Sequence, residues 1–107
     1  MATLSNEFKK KVADLYLKRK EKLEEIDPDT LESFASEVLA MIEEETKRVS
    51  QPSHDMEVLR QSMTHLKQDS ALLKGYQPNT DDYDFTRNDC KNLLNSTKRW
   101  LKMEGLI

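Results

Sequence analysis

Residues that interrupt helices or cross-link a fold are scarce in this sequence. Of its 107 residues, two are glycine, three are proline and one is cysteine, and aromatic residues make up 7%. So few turn-forming residues argue against a β-sandwich, which needs many turns. The single cysteine, Cys90, excludes an intrachain disulfide and a cysteine-based zinc site, as is usual for proteins of reducing compartments. We therefore expect helices and a cytoplasmic or nuclear location.

Long apolar runs are also missing. No stretch approaches the roughly 18 apolar residues of a membrane span, and residues 1–7 lack the hydrophobic run of a secretory signal. The sequence therefore predicts a soluble protein without membrane association. Hydrophobic residues amount to 36% and charged residues to 35%, so the predicted core is narrow or is completed by a partner chain.

Four segments carry apolar residues at the three- and four-residue spacings of amphipathic helices. The first apolar stripe begins at Leu4, and the second helix is expected to stop before Ser50-Gln51-Pro52. Asp27 and Pro28 predict a helix start. The polar stretch 76–85 is predicted to be the longest loop, with Thr86 capping the last helix. The predicted helices cover approximately residues 5–25, 28–49, 54–74 and 87–104.

These segments predict one all-α domain over residues 1–107, arranged as a four-helix up-down bundle. The third helix has a coiled-coil heptad seam, formed by Met56, Leu59, Met63, Leu66 and Leu73. The same seam is compatible with helical hairpins that complete their core by dimerisation, and this is the alternative architecture.

No arrangement typical of an enzyme is present. Cys90 with His54 or His65 is the one conceivable nucleophile and base, but Cys90 lies on an apolar stripe and is interpreted as a buried structural residue. Neither histidine belongs to an HxxxH pair, and two glycines do not make a phosphate-binding loop. The sequence predicts no catalytic residue, no cofactor and no metal site.

Apolar residues outside the main stripes suggest a contact surface for another protein. Val58, His65 and Leu72 form a weaker second stripe on the third helix, which predicts burial on two sides. Leu17 is a further exposed apolar residue. Arg19 occupies a gap in the first stripe, either with its charged head at the rim of the bundle or paired with a carboxylate of a neighbouring helix. These five residues are the predicted partner-binding set.

Basic residues form a row on the last helix. Arg87, Lys91, Lys98 and Lys102 lie within about 60° of one another around the helix axis. Such a row is either the solvent side of a helix or a surface that binds phosphates.

The first hypothesis for the function is a non-enzymatic interaction module, an adaptor or complex subunit that binds another protein or forms a homodimer. The alternative is a helical nucleic-acid-binding protein that uses this row.

Overall fold

A computed structural model describes residues 5–48 and 53–107, and this part of the chain is helical without a β-strand. The all-α class is therefore confirmed. Leu4 and the predicted stop at Ser50-Gln51-Pro52 lie outside the described residues. The five helices are α1 (Asn6–Lys18), α2 (Lys20–Glu24), α3 (Pro28–Arg48), α4 (His54–Gly75) and α5 (Asp81–Met103).

The first predicted helix is divided in two. The prediction of one continuous helix over 5–25 is wrong, because Arg19 leaves helical geometry with φ −113° and ψ 14° and separates α1 from α2. The break falls at the one charged position of an otherwise apolar stripe. There the guanidinium Nη2 of Arg19 lies 3.0 Å from Oε2 of Glu37 on α3, so its charge is paired at the edge of the core.

The corner between α2 and α3 is closely hydrogen-bonded. Ile26 adopts a left-handed conformation with φ 57°, which costs a β-branched residue about 1–2 kcal/mol. Its side chain and that of Leu31 are buried in the core, and this burial offsets the strain. Asp27 Oδ2 then accepts hydrogen bonds from Thr30 N at 3.0 Å and Thr30 Oγ1 at 2.6 Å. Asp27 therefore caps α3, as its position before Pro28 predicts.

Replacing Asp27 with alanine should lower the free energy of unfolding by about 0.5–2 kcal/mol at pH 7, the usual cost of a lost N-cap. The two bonds from Thr30 hold the pKa of Asp27 below its usual value. A carboxylate with a lowered folded-state pKa stabilises the fold above its unfolded pKa and loses that effect as pH falls through the folded value. Urea unfolding should therefore show the difference shrinking below about pH 4. Asp27→Asn keeps a capping oxygen and should stay near wild type; a deficit in Asp27→Ala that is constant with pH would contradict this role.

The last helix begins earlier than the sequence predicts. α5 starts at Asp81, so the loop predicted over 76–85 is too long and the predicted cap at Thr86 is wrong. Thr80 is the actual cap, its Oγ1 accepting a hydrogen bond from Tyr83 N at 3.2 Å. Acidic residues in the first turn of a helix are favoured by the helix dipole. The acidic cluster around Tyr83 is thus a helix start, and Thr86 is buried within α5.

The core is drawn from all five helices. Ser53 caps α4 as predicted, its Oγ accepting from Met56 N at 3.2 Å. The predicted heptad seam of α4 is buried throughout, and α4 packs most heavily against α3 and α5. The rings of Tyr16 and Phe34 meet edge to face with centroids 6.4 Å apart and planes at 73°.

Within residues 5–48 and 53–107, no helix has the length and apolar character to cross a membrane.

Candidate functional site

Helices α4 and α5 run in opposite directions with a crevice between them. Near its start, α4 contributes Val58 to a groove that Trp100, near the end of α5, also lines. Further along α4, His65 meets Asp89 in the first half of α5. The two helices are therefore antiparallel. Only residues 76–80 connect the two helices.

On the solvent side of this crevice, helices α4 and α5 carry a strip of side chains that we call the α4–α5 face. At 100° per residue, the members from each helix lie within about 40° of a common direction. On α4 the face comprises Val58, Ser62, His65, Asp69 and Leu72. On α5 it comprises Phe85, Asp89, Asn92, Ser96, Arg99 and Met103.

Four large apolar side chains on this face are exposed to solvent. Val58 and Leu72 are each 49% exposed, Phe85 is 77% exposed and Met103 is 81% exposed. Among the described residues, Leu17 on α1 is the other large apolar side chain with comparable exposure, at 47%. Single exposed apolar residues are ordinary, but several on one face mark a contact surface.

The crevice opens into a small groove at the Val58 end. The groove has a volume of about 110 Å³, and its walls are mainly apolar. The indole Nε1 of Trp100 is buried there and has no hydrogen-bond partner among the described residues. The residues that line the groove are Asp55, Val58, Leu59, Ser62, Ser96, Thr97 and Trp100.

Three ionisable side chains meet in the middle of the α4–α5 face. His65 Nε2 lies 3.2 Å from Asp69 Oδ2 and 3.0 Å from Asp89 Oδ2. One ligand atom from each of the three residues lies within 4.8 Å of the others. Asp69 and His65 are one helical turn apart on α4, whereas Asp89 comes from α5. The cluster therefore joins the two helices at the centre of the face.

Burial changes the acid–base properties of this cluster. Asp69 is buried, and desolvation together with the neighbouring Asp89 raises its pKa to about 6, although His65 opposes the shift. The adjacent Cys90 is fully buried, and desolvation followed by the charges of Asp69 and Asp89 raises the pKa of its thiol to about 12. Cys90 is therefore a neutral thiol at physiological pH, which suits a structural residue better than a nucleophile.

Acidic groups predominate along the α4–α5 face. Asp69 and Asp89 lie at its centre, Asp55 lines the groove, and Asp82 lies one turn before Phe85 on the same side of α5. Arg99 is the fixed positive charge on the face. A charged surface of this kind favours association with a partner of opposite sign.

The structure separates the five residues predicted to bind a partner. Val58, His65 and Leu72 share the α4–α5 face, but the prediction that their stripe is buried within the fold is wrong, since Val58 and Leu72 are half exposed and His65 is exposed too. Leu17 is exposed on α1, and Arg19 is paired with Glu37 on α3. Neither belongs to the α4–α5 face.

Sequence reasoning missed Phe85, Asp69 and Asp89 as members of this surface. The sequence places Phe85 in a loop because the predicted start of α5 lies six residues after the actual start. Asp69 follows His65 by four residues, a spacing that puts two side chains on the same side of a helix, so this pair was detectable from the sequence. The contribution of Asp89 depends on how α5 packs against α4.

The predicted basic row lies on a different side of α5, about 130° from the line through Phe85 and Met103. Lys98 Nζ is 3.3 Å from Glu24 Oε1 of α2, and this contact raises the pKa of Lys98. Arg87, Lys91 and Lys102 are exposed and form no ion pair within the described part of the chain.

No protein-family model, no curated protein and no solved structure matches this chain.

Proposed function

We propose that this chain is a non-enzymatic interaction module, an adaptor or complex subunit of the cytoplasm or nucleus, that binds a helix of another protein along the α4–α5 face. In this proposal the helices form a four-helix up-down bundle in which α1 and α2 together make one arm. The observation that carries the proposal is the alignment of Val58, Leu72, Phe85 and Met103 on one exposed face.

The dimensions and charge of the face define its partner. Val58 and Leu72 are fourteen residues apart on one helix, which corresponds to about 21 Å. An amphipathic helix of about four turns covers that length and places one apolar side chain per turn into a crevice of this kind. Because acidic residues predominate along the face, the partner helix carries basic residues beside its apolar stripe. Apolar burial supplies most of the affinity, and the charges favour the correct partner.

A nucleic-acid-binding function is the second candidate. The exposed row of Arg87, Lys91 and Lys102 favours it, because these cations are available to phosphates. The pairing of Lys98 with Glu24 weakens it by removing one of the four predicted contacts. The acidic α4–α5 face would repel nucleic acid, so binding would have to use the opposite side of α5. Charge reversal at Lys91 and Lys102 should then abolish a strongly salt-dependent affinity.

Site-specific photo-crosslinking tests the interaction proposal. Benzoylphenylalanine is introduced at Val58, at Leu72 or at Leu17 in the full chain, and the protein is crosslinked in cells. Leu17 is the matched control because its exposure is close to that of the other two positions and it lies on a different helix. We expect the same crosslinked protein at positions 58 and 72 and none at 17, and Val58→Asp should remove the product formed at 72.

Three results would overturn this proposal. Equal crosslinking at all three positions, or crosslinking at position 17 alone, would mean that the α4–α5 face is not the binding surface. A crosslinked species of twice the chain mass, with a stable dimer in light scattering of the purified protein over a dilution series, would replace the foreign helix with a second copy of this chain.

A further inference from the structure

Two of the three distances among His65, Asp69 and Asp89 match those between ligands of one metal ion. Zinc lies about 2.0–2.2 Å from histidine nitrogen and carboxylate oxygen ligands. Two ligands of one ion are therefore about 3.0–3.5 Å apart in octahedral or tetrahedral coordination. The two distances from His65 Nε2, 3.2 Å to Asp69 Oδ2 and 3.0 Å to Asp89 Oδ2, lie within this interval.

Asp69 supplies the independent indication of a ligand. This residue is 8% exposed, and its Oδ2 accepts no hydrogen bond from any residue in the described ranges, although His65 Nε2 is close. A buried carboxylate oxygen without a partner is costly. The second carboxylate, Asp89, adds a like charge instead of compensating the first. A cation held between the two carboxylates removes both costs.

We propose that His65, Asp69 and Asp89 bind a divalent first-row transition-metal ion of the zinc class. This site goes beyond the proposed interaction function and does not depend on it. The imidazole nitrogen favours such ions over Mg²⁺ and Ca²⁺, which take oxygen ligands. The two carboxylates neutralise the charge of the ion, and neutral His65 contributes its lone pair.

The site has two consequences for the protein. Two ligands come from α4 and one from α5, so the ion cross-links the helices that form the α4–α5 face. His65 is half exposed, so the ion is accessible from solvent. Three protein ligands leave a fourth position for water or for a side chain of a bound partner.

Metal titration of the purified full chain tests the site, after removal of any polyhistidine tag and treatment with a chelator. Isothermal titration with Zn²⁺ should show one equivalent bound. Co²⁺ should give the visible absorption of a protein-bound ion, and Zn²⁺ should displace it. His65→Ala and Asp89→Asn should each weaken Zn²⁺ binding at least about 10-fold, because a lost ligand costs at least as much as a lost supporting contact. Circular dichroism verifies that both variants are folded.

His54→Ala is the matched control, since His54 is the other histidine and is exposed at the start of α4. This variant should bind Zn²⁺ like the wild type. In NMR spectra of the wild type, the largest imidazole shift on adding Zn²⁺ should belong to His65. The proposal would be overturned if the folded wild type did not bind Zn²⁺ at about millimolar concentration, because structural sites have dissociation constants far below that value. Binding that survives His65→Ala but is lost in His54→Ala would overturn it as well.

Discussion

Replacing Phe34 with alanine should lower the free energy of unfolding by about 3–5 kcal/mol. Phe34 is fully buried, and its ring meets that of Tyr16 edge to face at 6.4 Å. Truncation removes the apolar surface of the ring, leaves a cavity between α1 and α3, and abolishes the aromatic contact, which adds about 0.5–1.5 kcal/mol of its own. Guanidinium unfolding followed by circular dichroism measures the change.

A loss of this size is a large part of the stability of an ordinary domain, so Phe34→Leu serves as a milder variant that should remain folded. Phe85→Ala is the matched control. It removes the same ring from a side chain that is 77% exposed, and it should change stability by less than about 0.5 kcal/mol. Equal losses at positions 34 and 85 would show that Phe85 is buried in solution and would contradict the description of the α4–α5 face.

Replacing Asp69 with asparagine should stabilise the metal-free protein at neutral pH by about 1–3 kcal/mol. Desolvation and the proximity of Asp89 raise the pKa of Asp69 from 3.8 to about 6, and each pKa unit corresponds to about 1.4 kcal/mol. Between pH 4 and pH 6 the folded protein therefore binds more protons at this site than the unfolded chain does. Wild-type stability should fall as pH rises through this interval, and the cost is fully present above it.

Asparagine at position 69 carries no charge, so the variant should lack this pH dependence and converge with the wild type near pH 4. Urea unfolding from pH 4 to pH 8 in the presence of a chelator provides the measurement. Asp82→Asn is a suitable control, because Asp82 is an exposed residue of the first turn of α5 and should show no comparable gain. A variant at position 69 that is less stable than wild type at pH 7.5 would mean that His65 compensates the charge of Asp69.

Local sequence signals predicted the parts of the fold that depend on neighbouring residues. Asp27 before Pro28 marked the start of α3, Ser53 marked that of α4, and the heptad seam of α4 is buried as its spacing indicates. Each of these features needs only helical periodicity and a capping side chain. They are visible in the sequence because their partners lie within a few residues along the chain.

The errors have physical causes as well. Arg19, at the break, pairs with Glu37, which is eighteen residues away and on a different helix, and the periodicity of α1 alone does not reveal such a contact. The sequence predicts a loop at the first turn of α5 because this stretch is polar and acidic and lacks apolar periodicity. The cap at Thr80 and the interaction of three aspartates with the helix dipole stabilise a helix there instead.

The candidate site was only partly accessible from the sequence. The sequence predicts that Val58, His65 and Leu72 form one stripe because they repeat every seven residues. It does not predict their exposure, because a seven-residue repeat is equally typical of residues buried between helices. The junction of His65 with Asp89 requires the register of α4 against α5, which periodicity alone does not determine.

The order of the helices in the chain also bears on how the protein folds. The most extensive packing joins neighbours in sequence, α3 with α4 and α4 with α5, whereas α1 has far fewer contacts, made chiefly with α3. Contacts between segments close in the chain require little loop closure, and helical proteins dominated by them fold within microseconds to milliseconds. We therefore expect the α3–α5 segment to form the folding nucleus and α1 to join it late. The α4–α5 face would then belong to the part of the chain that forms first and opens last.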